Sequence, residues 1–593
     1  MSFLNSPIIY LTRKLWKYAG TNRRSVVLYL FMFITANGIF FFEPLVIAYI
    51  LNTIQVQGIT ATSMPFLLGA LIFRILIEIV FWSFHGPARV IENKNAFIVR
   101  SNYKKYLLEG VMAFPMDWHS DHHSGDTIDK VEKGTAALYR YSGDTFQLIE
   151  SVVKLISSYF ALIYFDLSAS YIVLFMVTIT VIFILQFDKV LVRQYKEIYG
   201  AENKVSAKVF DVISNITTVI ILRIEKLVAS AIYKEILKPF KLFSRNNVVN
   251  EVKWSLVSLS SVLMTTWVLA AYFYSHLASG EVVLIGTVYA LYGYITRITD
   301  LFFRFAYMYG DIVQQKAAVL NAEQIANEFS SLRKPKDIVL GSRWHNLSIK
   351  NLSFAYQTAK KGQLHLDDVS LTITRGKRIA VIGASGSGKT TFLKIIRELY
   401  QPTACQLELD GKLLPNGFKS ISESIALIPQ DPEIFSTSIR ENITVGINHT
   451  DAYIRKFTDM ACFTDVIKRL PHKLESSIFE KGVNLSGGEK QRLALARGLL
   501  ASEDKEIILL DESTSSVDSK NELHIYRNIF KTFKAKTIIA SIHRLHLLNL
   551  FDEIYFFQSG KIIASGTLKQ LLKQSPEFQD IWEKYHKVTK EEF

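Results

Sequence analysis

The chain has 593 residues, 49% of them hydrophobic, which is too long for one ordinary core and calls for at least two domains. It carries 68 Lys and Arg against 54 Asp and Glu, a formal charge of +14, with a mean hydropathy of +0.19. Apolar and basic together fit a membrane protein with a positive cytoplasmic side, and argue against a nucleic-acid partner.

The N-terminal stretch "LTRKLWKYAGTNRR" is basic. No cleavable signal is evident, because the first apolar run is too long for a signal core and lacks a small-residue cleavage site. Six long apolar segments are predicted near 26–52, 64–85, 146–165, 168–190, 255–276 and 282–304. Each approaches or exceeds the roughly 20 residues a helix needs to cross a bilayer. The connectors near 53–63, 166–167 and 277–281 are short and contain no Lys or Arg. Those at 86–145 and 191–254 are long, polar and basic, and read as helical extensions. The positive-inside rule puts the N-terminus and the long connectors in the cytoplasm.

Several charges fall within the spans: Glu43 in the first, Arg74 and Glu78 in the second, Glu150 and Lys154 in the third, Arg297 and Asp300 in the sixth. Charge at that depth is costly and normally faces a bundle interior or wet cavity. Glu43, Arg74, Glu78 and Arg297 are therefore candidate substrate-path residues, with Arg74 favouring an anionic or amphipathic substrate. The competing expectation is pairing within a helix, since Arg74/Glu78 and Glu150/Lys154 are four apart with opposite sign.

The first long connector contains "DWHSDHHSGD", 117–126. His119 and His123 have the spacing of two zinc ligands on one helix face. A helix of one or two turns before Gly125 is a poor frame for four fixed ligands, and Ser120 stands where the metalloprotease pattern has Glu. A metal role is the lesser expectation.

The character changes near "SSLRKPKD", 330–337. The expected organisation is a membrane domain over 1–330, a linker over 331–344 and a nucleotide-binding domain over 345–593. No low-complexity tract or internal repeat is present. In the second half, strand-like runs alternate with helical patterns, which predicts an α/β domain with a largely parallel sheet. The two cysteines, Cys405 and Cys462, cannot build a disulfide framework and are expected to be free thiols.

"GASGSGKT", 383–390, follows the strand-like "RIAVI" and precedes a helical pattern. That context identifies a phosphate-binding loop. Gly383, Gly386 and Gly388 let the backbone curl around phosphates, and the segment through Ser385, Ser387 and Thr391 supplies N–H groups at a helix N-terminus. Lys389 would reach the β- and γ-phosphates, and Thr390 would ligate Mg²⁺. "IILLDE", 507–512, is an apolar strand ending in two carboxylates. Asp511 is placed to hold Mg²⁺ and Glu512 to act as general base.

"LSGGEKQR", 485–492, resembles the signature of ATP-binding cassette (ABC) proteins. Further matches follow. Tyr356 in "LSFAY" resembles the residue that stacks on adenine. Gln430 in "LIPQDPEIF" resembles the glutamine that senses Mg²⁺ and the γ-phosphate. Glu480 in "FEKGVN" lies in the cross-linking segment of exporters. "SSVD", 515–518, resembles the dimer-contact loop and His543 in "ASIHRL" the switch histidine. "DESTSSVD", 511–518, departs mildly from the frequent "DEATSALD" and keeps Asp511, Glu512 and Asp518.

The resemblance covers 345–570 closely and 10–330 in layout, and it is to type IV (B-family-like) exporter half-transporters. It implies a six-helix membrane domain fused to an α/β P-loop ATPase, with ATP and Mg²⁺ as ligands. It implies a dimer, in which each ATP lies between one chain's phosphate loop and the other chain's Ser486, Gly487, Gly488 and Asp518. A homodimer is the first expectation and a heterodimer the second. The implied function is ATP-driven export of amphipathic small molecules, lipids or drugs by alternating access. The alternatives are a siderophore importer on the same fold, or an ATP-gated channel or regulator. The expected location is a bacterial inner membrane, in contact with lipid, with N-terminus and cassette cytoplasmic. By the same resemblance Trp118, His119, Asp121, His122 and His123 belong to a short coupling helix against the cassette, and a second turn falls near 211–219.

Overall fold

A computed structural model describes residues 6–122, 124–330, 340–341, 343–356, 364–431, 433–478 and 485–591. His123 and Glu480 lie outside the described residues. The chain divides into two compact units, one of Met1–Phe114 with His119–Leu332 and one of Pro115–Trp118 with Arg333–Phe593.

The first unit is helical. Its order is α1 (Pro7–Ala19), α2 (Arg23–Phe40), α3 (Glu43–Gln57), α4 (Met64–Met112), α5 (Met116–Asp121, shared with the second unit), α6 (Ser124–Gly143), α7 (Thr145–Phe165), α8 (Leu167–Ser214), α9 (Ile216–Ile221), α10 (Glu225–Leu237), α11 (Phe240–Ser279) and α12 (Ile285–Ser330). Among the described residues, five helical stretches are long and apolar enough to cross a membrane, by length and composition. They are Pro7–Gln57, Met64–Met112, Ser124–Phe165, Leu167–Ser214 and Glu225–Ser279. The sixth predicted segment, near 282–304, is also helical but falls short of that apolar measure. Arg297, Asp300 and Arg304 crowd the apolar part of this helix, α12.

Local chemistry sets the breaks. The first span divides at Phe41–Phe42 because Pro44 lacks an N–H and suits the first turn of a new helix. The Asp166 carboxylate accepts from the Ser168 N–H at 2.8 Å and caps α8. Gly280, at φ +72°, ends α11 in a left-handed turn. The long connectors are helical: the 49 residues of α4 rise roughly 74 Å at 1.5 Å each, over twice the hydrocarbon thickness. A break at Asn215 separates α8 from α9, within the expected second turn. The buried residues Leu162, Val173, Val257, Met264, Val268, Tyr272, Leu291, Tyr294 and Ile298 join α7, α8, α11 and α12 in one core.

The second unit contains β1 (Asn346–Phe354), β2 (Leu366–Thr374), β3 (Arg378–Gly383), α13 (Lys389–Ile396), β4 (Ala404–Leu409), β5 (Lys412–Leu413), β6 (Ile425–Ile428), α14 (Ile439–Thr444), α15 (Asp451–Met460), α16 (Thr464–Arg469), α17 (Gly487–Ala501), β7 (Ile507–Asp511), α18 (Ser519–Thr532), β8 (Thr537–Ser541), β9 (Glu553–Gln558), β10 (Lys561–Gly566), α19 (Leu568–Gln574) and α20 (Pro576–Glu591). A six-stranded sheet has the order β10-β9-β3-β8-β7-β6, parallel except for β10 at its edge. Every residue of β7 and β8 is buried, as a central parallel strand with both faces covered requires. A four-stranded antiparallel sheet, β2-β1-β4-β5, lies beside it and is additional to the expected architecture. Both cysteines are free and half-buried, and burial pushes the Cys405 thiol up to about 11.

The parallel sheet positions the site. Strands β3, β6, β7 and β8 run the same way. Gly383 ends β3, and Gln430, Glu512 and His543 follow the carboxyl ends of β6, β7 and β8, where open α/β sheets bind ligands.

Candidate nucleotide site

The loop after β3 is shaped by its glycines. Gly383 has φ +152°, and a Cβ there would stand 2.2 Å from the Phe557 carbonyl oxygen. Gly388 has φ +105°, and its Cβ would meet Leu366 Cδ2 at 2.8 Å. Neither can carry a side chain. Gly386, at φ +79°, has nothing within 4 Å of a built Cβ, so the loop is open there. It forms a cradle closed on the protein side and open on one other. Ser385, Gly386 and Ser387 line a cavity of about 470 Å³.

Lys389 opens α13 and is 5% exposed. Its ammonium donates to the carbonyls of Gly383 at 2.9 Å and Ala384 at 3.2 Å, and lies 3.8 Å from Glu512 Oε1. Burial lowers its pKa, and the charges of Glu512 and Asp511 oppose that. Thr390 Oγ1 donates to Asp511 Oδ1 at 3.0 Å. Asp511 ends β7 at 2% exposure, and burial pushes its carboxyl up while the Thr390 bond pulls it down. Gln430 Nε2 donates to Glu512 Oε2 at 2.9 Å. Glu512 has φ +41°, a conformation costing about 1–3 kcal/mol for a non-glycine residue and found where surrounding structure over-determines it. His543 and Glu512 line one cavity of about 250 Å³. Tyr356 Oη lies 3.3 Å from Thr391 Oγ1, with its ring among Phe354, His365 and Tyr400 at 4.8–5.1 Å.

Ser486, Gly487, Gly488 and Asp518 form a second cluster. Ser486 caps α17, accepting from the Glu489 N–H while Glu489 Oε2 accepts from the Ser486 N–H at 2.9 Å. A Cβ on Gly488 would stand 2.7 Å from the Ser516 carbonyl oxygen, so the signature helix packs on the "SSVD" loop. Asp518 caps α18 through the Asn521 N–H at 3.0 Å.

The residue that joins the two clusters escaped the sequence reading. Gln491, 6% exposed, donates to the Gln430 carbonyl at 3.2 Å and to Ser515 Oγ at 2.9 Å, and accepts from the Ser516 N–H at 2.8 Å. The available signal was its position three residues after Gly488, on the same helix face. With three hydrogen bonds of about 1 kcal/mol each, Gln491→Ala is expected to destabilise the cassette by about 1–3 kcal/mol. Calorimetry of the full chain should show the cassette transition lowered by several degrees.

In the first unit, Glu43 Oε2 accepts from Arg297 Nη2 at 2.9 Å and Oε1 from Arg74 Nη2 at 3.3 Å. One carboxylate thus ties α3 to α4 and α12. The expected Arg74/Glu78 pairing is corrected: Glu78 accepts instead from Trp82 Nε1 at 2.9 Å, and Arg74 turns to a carboxylate already shared with a second arginine. Glu150 and Lys154 do pair within α7 at 2.6 Å, and Glu150 also meets Arg304 at 2.8 Å. Beside Glu43 an apolar cavity of about 310 Å³ is lined by Phe42, Leu45, Val46, Tyr49, Ala70 and Phe73. In α5, Trp118 falls in the second unit while His119 and Asp121 fall in the first, with His122 following them. Among the described residues no group of three or more His, Cys, Asp or Glu could hold a metal ion.

A glycine cradle at the end of a parallel strand, with lysine, threonine and strand-end carboxylates converging on it, defines a P-loop nucleotide-binding domain, here following a helical transmembrane domain. The family model for the ABC transporter matches residues 366–515, and that for the ABC transporter transmembrane region matches 26–299, together more than half of the chain. The chain belongs to the ABC transporter family. It is 28% identical over 484 residues to ATP-binding cassette sub-family B member 6 of Mus musculus, an alignment covering 79% of this chain and 55% of that protein. It is 31% identical over 229 residues to an ATP-dependent lipid A-core flippase of Burkholderia pseudomallei, covering 38% of each. Both alignments span less than two thirds of the relative's length. The fold is that of a bacterial Atm1-family ABC exporter solved with ATP bound, with a TM-score of 0.77 at 19% identity over 95% of this chain and 99% of that one.

Proposed function

We propose that this chain hydrolyses ATP to export amphipathic small molecules, lipids or drugs across a membrane, as one half of a dimer. The observation that carries the reading is the convergence of Lys389, Thr390, Asp511, Glu512 and Gln430 at one edge of the parallel sheet. In this reading Tyr356 stacks on adenine. The N–H groups from Gly383 to Thr391 hold the phosphates, and Lys389 neutralises the β- and γ-phosphates. Glu512 takes the proton of the attacking water, oriented with Gln430 and His543. Thr390, Asp511 and Gln430 are hard oxygen donors suited to Mg²⁺, which supplies charge neutralisation at the phosphates when bound. Ser486, Gly487, Gly488 and Asp518 complete the site of a second chain, and intact motifs favour a homodimer.

The domain reading is a membrane domain over 1–330, a linker over 331–344 and a cassette over 345–593. In the same proposal α5, carrying Trp118, His119 and Asp121, is the coupling element, and His122 follows it. A second-chain partner and an inner-membrane location, with the cassette cytoplasmic, belong to the same proposal. The experiment is ATP-dependent transport by the purified chain in inside-out vesicles, with substrates screened by stimulation of ATPase activity and Glu512→Gln as control. Uptake identifies export. Outward movement would mark an importer, and current without stoichiometric transport a channel.

The likeness to a lipid A-core flippase supports a lipid-like cargo. So does the pairing of two guanidiniums at Glu43 with an adjacent apolar cavity. Arg74→Ala is expected to raise the half-saturating concentration of anionic amphipaths about tenfold, the scale of one charged hydrogen bond, with neutral substrates unaffected. Equal transport of both kinds rejects the anionic selectivity.

A further inference from the structure

The cavity beside Glu512 has a floor that the nucleotide site does not use. Glu522, in the first turn of α18 and 4% exposed, turns its carboxylate inward. Thr514 Oγ1 donates to its Oε1 at 2.7 Å, and Arg544 Nη1 donates to its Oε2 at 3.0 Å. The same Arg544 Nη1 donates to the Val517 carbonyl at 2.8 Å, and Nη2 reaches the Ser515 carbonyl at 3.5 Å. His546 also faces this carboxylate, its Nε2 4.0 Å from Glu522 Oε2 and its Nδ1 2.9 Å from the Tyr585 hydroxyl. Burial lowers the His546 pKa, Glu522 opposes that and Arg544 adds to it, so the imidazole is neutral near pH 7 and Arg544 supplies the counter-charge.

The positions of these groups in the chain give the arrangement its meaning. Thr514 is two residues after Glu512. Arg544 directly follows His543. Ser515 and Val517 belong to the loop that ends at Asp518. One ion pair therefore joins the segments bearing the general base, the switch histidine and the dimer-contact loop. Gln491 holds Ser515 and Ser516 of the same loop from the α17 side. The planar guanidinium lets one side chain meet a carboxylate and two carbonyls together, which a point-charge ammonium on a flexible stem does not reproduce.

We propose that Arg544 and Glu522 act as a pair of positioning residues for ATP hydrolysis. They fix His543 against Glu512 and set the height of the loop ending at Asp518. Neither touches the nucleotide; they act through those three segments. The inference rests on the ATPase reading above.

The test uses the full-length chain in lipid nanodiscs, with kcat and KM for MgATP measured for Arg544→Lys, Glu522→Gln and the double variant, alongside thermal unfolding. Tyr356 and Lys389 are untouched, so KM should stay within about twofold while kcat per active site falls about tenfold or more in each single variant. Residues acting as a unit are non-additive, so the double variant should be no slower than the slower single one. Wild-type kcat in folded Arg544→Lys or Glu522→Gln overturns the proposal, as do multiplicative losses in the double variant. Glu522→Gln is near-isosteric and keeps an acceptor for Thr514, so it serves if the arginine variant misfolds. Loss of folded protein with kcat per active site unchanged indicates a purely structural pair and also overturns it. A wild-type chain without Glu512-dependent hydrolysis instead overturns the ATPase reading itself, and the inference with it.

Discussion

Glu512→Gln is expected to abolish ATP turnover and leave ATP binding intact. The amide has the same shape as the carboxylate and can still meet Gln430, whose amide donates to Glu512 Oε2 at 2.9 Å. It cannot take a proton from water. A positioned general base contributes typically about 10²–10⁴-fold, so kcat should fall within that range. The backbone at φ +41° is held by its neighbours in either case, so thermal stability should change little. Phosphate release measures the first effect, and displacement of a fluorescent ATP analogue measures affinity. A variant retaining more than about a tenth of wild-type turnover removes Glu512 from the role of base. A variant that loses binding as well assigns Glu512 to nucleotide binding instead. Since each ATP is proposed to lie between one chain's phosphate loop and the other chain's Ser486–Gly488, the variant should also accumulate a long-lived ATP-bound dimer, visible by cross-linking.

The phosphate loop was readable because its chemistry tolerates few residues. Gly383 and Gly388 are dictated by backbone that approaches within van der Waals distance, and Lys389 and Thr390 by the phosphates and Mg²⁺ they would serve. The strand ending at Asp511 was readable from five consecutive apolar-to-acidic positions, all of which are buried. What escaped was contact between distant segments. Gln491 reaches Gln430 across 61 residues, and Arg544 reaches Val517 across 27. Local spacing carries no record of either. The same limit produced the Arg74/Glu78 expectation. The i,i+4 rule ranks partners on one helix, and it had no view of Glu43, 31 positions earlier, which Arg74 meets instead. Hydropathy located the membrane-length helices, but α12 shows its weakness. A helix that draws Arg297 and Arg304 to carboxylates on other helices is less apolar than one facing lipid alone. The second sheet was missed because β1 and β4 pair across 49 intervening residues, and alternation alone does not name a partner.

Lys389→Ala is expected to lower ATP affinity by about 100-fold or more. The ammonium is 5% exposed and sits between the loop carbonyls and Glu512. Its removal leaves Asp511 and Glu512 without a compensating cation where a polyanion must bind. Two charge-assisted hydrogen bonds to phosphate are worth about 1.5–3 kcal/mol each, and about 2.7 kcal/mol already corresponds to 100-fold. The fold should survive, because the alanine also removes the cost of burying a cation. Thermal unfolding separates these effects. At ATP 100-fold above the wild-type Kd, binding stabilises the native chain by about 2.7 kcal/mol; the variant at the same concentration gains about 0.4 kcal/mol. Alkaline titration adds a second signature. Burial lowers the lysine pKa, and phosphates would raise it again, so wild-type affinity should decline as pH rises through the depressed value. The variant should lack that limb. An unchanged ATP-induced shift in Lys389→Ala would move the nucleotide away from this loop, and with it every role assigned to Thr390, Asp511 and Gln430.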